Sequence, residues 1–252
     1  MKRDFFKYHA SPLTVMLQCA TPELAIGRIR NANGLGAEAY GLQTESLSAE
    51  YQTPEVYKKI FGEMNGRPVY VTHYRGGKNK GKSDEELAEG LLTLAESGAT
   101  LIDVMGDLFD KHPEELTENQ EAIGKQMKLI EALHEKGTMV LMSSHTGTVL
   151  SAERVLEMAM EQKRRGADII KIVTRADTME DQLECLRTIT VLKEKLGAPF
   201  LYLCGGECTL LRRLGWRLGN CMSLCVYEHD AFSTPVQPLL STMKTVRDHL
   251  DF

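Results

Sequence analysis

Short apolar runs alternate with amphipathic, capped segments along the chain. The apolar runs cover residues 13–19, 37–42, 68–73, 100–105, 138–143, 166–173, 200–203 and 222–226. Each is rich in β-branched or large apolar residues and is bounded by Gly, Pro or polar clusters. That is the pattern of strands buried on both faces of a parallel sheet. Between them lie helix signals. Thr21-Pro22 and Thr53-Pro54 each place a hydroxyl cap before a proline at the first helical position. The helices they open stop near Asn33-Gly34 and Asn65-Gly66. Ser83 with Glu86 forms a capping box, and Leu87, Leu91, Leu94 and Ala95 mark one apolar helix face. Further helices are predicted over 117–135, 151–165, 179–196 and 209–217, with a closing one from about Pro238. A strand followed by a helix, eight times with short connections, predicts an α/β fold: a (β/α)8 TIM barrel formed by residues 1–252 as one domain. A doubly wound sheet is the alternative, but eight full units leave little room for a second domain.

Composition narrows the function classes. Of the 252 residues 42% are apolar, and the net charge of −5 shows no block asymmetry. A nucleic-acid partner is therefore not expected. No apolar run reaches the roughly 20 residues a membrane span needs, so no membrane partner is expected either. The first residues lack a signal-like apolar segment, and a cytoplasmic location follows as the default. Six cysteines in such a chain read as reduced thiols. The C-x3-C pairs Cys204/Cys208 and Cys221/Cys225 do not match the short-spaced ligand pairs of structural zinc. No cofactor and no metal are expected.

The sixth run, Gly166-Ala167-Asp168-Ile169-Ile170-Lys171-Ile172-Val173, carries the chemistry. A lysine between Ile170 and Ile172 is expected in apolar surroundings, which disfavour its charge. An uncharged amine is a nucleophile able to form a Schiff base with a ketone. A barrel places its active site at the carboxyl ends of its strands. The polar residues found there are Gln43, Arg75, Asp107, His145, Lys171, Arg212, Ser233 and Gln237. His145 and Lys171 come from neighbouring strands, and a histidine there can move protons near neutral pH. Arg75 and Arg212 offer forked cations for a carboxylate, with Arg213 as a competitor for the second role. Lys78, Lys80 and Lys82 read as a solvated loop.

These residues resemble the type I 3-dehydroquinate dehydratase family over most of the chain. The likeness rests on Ser143-Ser144-His145, on Ala167 through Ile172, on Leu211-Arg212-Arg213-Leu214, and on Ala231 through Gln237, which is similar to the family's S-A-P-G-Q loop. The resemblance implies a (β/α)8 barrel, usually a homodimer. It also implies metal-free removal of water from 3-dehydroquinate, a keto acid, through a covalent imine. Carried over, Lys171 forms the imine, and His145 takes a C–H proton, protonates the leaving hydroxyl and assists hydrolysis. Arg212 holds the carboxylate, Ser233 and Gln237 close a lid, and Arg75 bonds a ring hydroxyl.

Two departures stand out. Where the family shows Glu-x-Arg on strand two, this chain has Gly41-Leu42-Gln43. Where the family carries a histidine-orienting glutamate after strand three, the place falls near Asn79. Each lost partner for a buried hydroxyl costs about 1–3 kcal/mol. Three readings follow: a divergent 3-dehydroquinate dehydratase; the same imine chemistry on another keto acid; or a non-catalytic sensor that kept the fold. If the strand-two correspondence holds, Gly41→Glu with Gln43→Arg should improve use of 3-dehydroquinate.

Overall fold

The computed structural model describes residues 3–250. Eight parallel strands alternate with eight α-helices. The pairs are β1 (Leu13–Leu17) and α1 (Pro22–Gly34), β2 (Ala39–Gln43) and α2 (Pro54–Gly62), β3 (Val69–Thr72) and α3 (Asp84–Ser97), and β4 (Leu101–Met105) and α4 (Gln120–Glu135). They continue with β5 (Met139–His145) and α5 (Ala152–Arg164), β6 (Ile169–Arg175) and α6 (Met179–Lys195), β7 (Phe200–Gly205) and α7 (Leu210–Leu218), and β8 (Ser223–Cys225) and α8 (Leu240–Leu250). The sheet runs β7-β6-β5-β4-β3-β2-β1-β8, each strand parallel to its neighbours. β7 and β8 meet at a seam. There the Cys221 N–H donates to the Phe200 carbonyl at 2.8 Å. The Asn220 side chain accepts from the Tyr202 N–H at 2.8 Å and donates to its carbonyl at 2.9 Å. This is the (β/α)8 barrel the alternation predicts.

The local signals act as read. Thr21 and Thr53 cap α1 and α2, and Ser83 with Glu86 completes the capping box of α3. The fourth helix differs. It opens at Gln120 under an Asn119 cap rather than at Thr117, because Thr117 spends its hydroxyl on Asp110. The connection after β4 is therefore long, and the site uses it.

Strand alternation divides the core in two. One face of the sheet packs Val15, Leu42, Val71, Ile102, Met142 and Ile170 against the helices. The other turns Met16, Tyr70, Leu101, Leu141, Ile169 and Leu201 into the barrel. Ile170 and Ile172 thus point at the helices, and Lys171 between them points inward.

Candidate active site

β5 and β6 pair with Ser143 opposite Lys171 and His145 opposite Val173. His145 therefore stands one interior layer, roughly 7 Å of strand rise, above Lys171 at the barrel mouth. The lysine does not lie in an apolar pocket. Its Nζ is 2.9 Å from the Tyr74 hydroxyl, 3.0 Å from the Tyr70 hydroxyl and 3.2 Å from Asp103 Oδ2. The ion pair is almost fully buried, with side-chain exposures of 6% and 0%. The expectation of an isolated amine fails for a simple reason. The flanking isoleucines face away, and the inward face of β4 presents a carboxylate.

Asp103 is saturated with donors. Tyr74 donates to Oδ2 at 2.5 Å, Tyr70 donates to the same oxygen, and Ser143 donates to Oδ1 at 2.5 Å. Burial, then the charge of Asp103, pushes both phenols well above their ordinary range, so they stay protonated. Each phenol gives its one hydrogen to Asp103 and accepts from Lys171. An ammonium has three N–H groups, and this cage offers it three acceptors.

His145 is held by Glu115. A single carboxylate oxygen accepts from the His145 backbone N–H at 2.8 Å and meets Nδ1 at 2.9 Å. Burial raises the Glu115 carboxyl, but the bonds from His145 outweigh it and hold the group below its ordinary value. An ionised acceptor at Nδ1 places the proton there and leaves Nε2 as the free base. Tyr74 packs edge-on against the imidazole at 5.5 Å, so one residue touches both the histidine and the lysine.

Glu115 reaches this position from the loop after β4. It adopts a left-handed backbone with φ of 49°, and the Ser144 hydroxyl donates to its carbonyl at 2.7 Å. Gly106 makes room, since a Cβ there would lie 2.5 Å from that carbonyl. Asn79, the residue predicted to orient the histidine, instead donates to the Tyr74 carbonyl at 2.9 Å.

Arg75 also departs from its expected role. It forks onto Asp84 at 2.7 Å and binds Asp107 at 2.6 Å, so its charge is already answered. The cause is parity: Tyr70, Thr72 and Tyr74 take the inward positions, and Arg75 falls beside them on the rim. It lines a cleft of about 390 Å³ with Tyr74, Asp107, Lys111, Glu115 and His145. Lys171 lies beneath Tyr74, outside that lining.

Arg212 behaves differently. It is 9% exposed, its Nε donates to the Cys204 carbonyl at 2.9 Å, and no carboxylate pairs with it among the described residues. Burial pulls its pKa down. Arg213 is exposed and bonds Thr209, so Arg212 is the inward cation of the two. The Gln237 amide oxygen is buried without a partner. Ser233 is engaged in its own loop with Asp230, which Arg28 holds in turn. Gln43 ends β2 opposite Thr72, and its amide makes no hydrogen bond to a described residue. Beside it, Gly41 leaves space that Met16 already fills: a Cβ would lie 2.2 Å from its sulfur.

Sequence reasoning missed Asp103, Tyr70, Tyr74 and Glu115. An acidic residue in the middle of β4 was as visible as the lysine in β6. Glu115 sits in an aperiodic loop and gives no such signal.

A (β/α)8 barrel with a caged lysine beneath a carboxylate-held histidine at its mouth is the class that fold and site define. Residues 13–251 match the family model described as type I 3-dehydroquinase, and the chain belongs to that family. A 3-dehydroquinate dehydratase of Aromatoleum aromaticum is 26% identical over 202 residues, covering 78% of this chain and 72% of its own. Among solved structures, the 3-dehydroquinate dehydratase of Geobacillus kaustophilus superposes with a TM-score of 0.80 at 17% identity, covering 95% of this chain and 91% of its own. The type I enzyme of Clostridium difficile, solved with covalently modified comenic acid, gives 0.80 at 16% identity, covering 99% and 93%. These structural likenesses concern the fold.

Proposed function

We propose that this protein is a Schiff-base hydro-lyase that removes water from a cyclic 3-keto acid of the 3-dehydroquinate type. The observation that carries the reading is the stacking of His145 one layer above Lys171 on adjacent strands, with Tyr74 touching both. Arg212 supports it: a buried guanidinium with no counter-charge among the described residues is costly unless an anion arrives, and a substrate carboxylate is that anion.

Lys171 Nζ adds to the ketone, and loss of the carbonyl oxygen as water leaves a protonated imine. The imine nitrogen draws electrons from the neighbouring C–H. His145 takes that proton at Nε2 and returns it to the hydroxyl on the next carbon, which leaves as water. Water then hydrolyses the imine and frees the unsaturated keto acid and the amine. Glu115 fixes the imidazole throughout.

A second reading, the same chemistry on a keto acid with fewer ring hydroxyls, draws on the packing at β2. Met16 fills the space above Gly41, and Arg75 is already committed. A ring hydroxyl left unpaired there costs about 1–3 kcal/mol. Borohydride trapping followed by peptide mass spectrometry separates the readings. An adduct at Lys171 with 3-dehydroquinate supports the first. An adduct only with a less hydroxylated keto acid supports the second. No adduct with any keto acid refutes both and leaves a non-catalytic cage.

A further inference from the structure

Imine formation poses a problem at this site. The amine that must attack is a buried ammonium in contact with Asp103, and the cleft holding His145 reaches Tyr74 but not Lys171. The cage suggests its own solution. We propose that Asp103, not His145, is the catalytic acid–base of imine formation, taking a proton from Lys171 and returning it to the departing oxygen. This rests on the Schiff-base reading above and adds a division of labour to it.

The geometry is specific. Among the described residues, Asp103 Oδ2 is the one carboxylate oxygen bonded to Lys171 Nζ. It is also the oxygen onto which Tyr70 and Tyr74 donate, so each phenol bridges amine and acid. Ser143 holds the other oxygen, which fixes the carboxyl plane. His145 reaches the cage only through the ring edge of Tyr74, and its own Nδ1 is committed to Glu115.

The protons balance without outside help. One N–H proton passes from the ammonium to Asp103, leaving a neutral amine whose lone pair forms the C–N bond. The carbonyl π pair moves to oxygen. That oxygen takes a second proton from the nitrogen, giving the carbinolamine. Asp103 then gives its proton to the same oxygen, the C–O bond breaks, and water leaves. The product is a protonated imine facing a carboxylate that is ionised again. Of the three ammonium hydrogens, two end in water and one stays on nitrogen. Tyr70 and Tyr74 stay donors to the carboxylate, and Tyr74 must swing from Nζ to admit the ketone.

The groups that face this cage are Tyr70 on β3, Tyr74 following it, Asp103 on β4, and Ser143 and His145 on β5. Glu45 after β2 acts electrostatically on Asp103, and Glu115 acts on Lys171. β6 and β7 contribute apolar Ile169, Leu201 and Leu203.

The test is the rate of borohydride-trapped adduct at Lys171 against pH, read by mass spectrometry with whichever keto acid traps on the wild-type protein. An internal acid–base pair makes that rate nearly flat from pH 6 to 9 in the wild type. His145→Ala should keep the rate within about threefold while losing turnover. Asp103→Asn should slow trapping about 100-fold at pH 7 and make it climb about tenfold per pH unit, as solvent must now take the proton. Asp103→Glu, which keeps the carboxylate, should recover part of the flat profile. A tenfold climb per pH unit in the wild type overturns the assignment even if Asp103→Asn does not fold. Equal loss of trapping in His145→Ala overturns it as well. Absence of any wild-type adduct instead defeats the Schiff-base reading itself.

Discussion

Replacing Glu115 by glutamine tests how much of the chemistry depends on the carboxylate that holds His145. The substitution keeps shape and leaves an oxygen in place, so both contacts, at 2.8 and 2.9 Å, can persist in altered form. What is lost is charge. Hydrogen bonds to an ionised group contribute about 1.5–3 kcal/mol against 0.5–1.5 for neutral pairs. Two such bonds lose about 1–3 kcal/mol together, which is roughly 5- to 150-fold in a step that relies on His145 as base. Glu115→Ala removes the orientation too and should cost more. The assay is turnover of the keto acid that traps at Lys171, paired with nitrogen NMR of the imidazole. The wild type should show the proton on Nδ1, and Glu115→Gln should show a mixture of tautomers. Turnover within twofold of wild type, with an unchanged tautomer, would refute the reasoning. The pH behaviour gives a second check. Glu115 is held below its ordinary value of 4.5, so its contribution to stability is present above that value. It is lost as pH falls through the lower folded value. Glu115→Gln should lack that acid limb in a urea titration.

Three further outcomes are expected. Gly41→Glu with Gln43→Arg should lower the urea midpoint slightly and not improve use of 3-dehydroquinate, because a Cβ at position 41 lies 3.1 Å from the Tyr70 ring and obliges the flexible end of Met16 to move aside. Crowding that a thioether can relieve falls at the low end of about 1–3 kcal/mol, and a gain in specificity without loss of stability would contradict it. Arg212→Met should weaken keto-acid capture about 10- to 100-fold, the worth of a charge-assisted pair, and lower stability by no more than about 1–3 kcal/mol for the bond lost to the Cys204 carbonyl, since no carboxylate among the described residues pairs with the cation; a larger fall in the urea midpoint would contradict this. His73 is held by burial at a pKa of about 4 against 6.5. Its neutral form is favoured in the folded state, so stability is intact above pH 6.5 and declines toward pH 4. At about 1.4 kcal/mol per pH unit that interval corresponds to about 3 kcal/mol, and His73→Gln should flatten that stretch of the stability–pH curve.

The barrel was legible because its signals are local and repeated. A proline after a threonine, a capping box and a short apolar run each specify an element without reference to the rest. The strand positions of Lys171 and His145 were legible for the same reason, as polar residues on strand-like runs. Arg75 stands at the mouth as a residue following β3 should, but Tyr70, Thr72 and Tyr74 share the inward parity, and counting by twos along β3 predicts the tyrosine nearest the lysine. Asp103 belongs to the same class of signal, a charge inside Leu101–Met105, and its meaning appears only when β4 and β6 are seen to flank β5 and turn both side chains inward. Glu115 had no such cue. Its position depends on a left-handed turn and on the absence of a side chain at Gly106, which are properties of a closed loop.

Between every other pair of neighbouring strands the wall is continuous backbone ladder, but at the seam one amide of Asn220 stands in for missing rungs. β8 is three residues long there. The stretch where the cylinder is thinnest should also be the stretch that exchanges its amide hydrogens first. It adjoins Arg212 on one side and the chain bearing Gln237 on the other. Breathing of the wall is thereby concentrated where an incoming acid would be received, one strand away from Lys171, whose own strand is laddered to both of its neighbours.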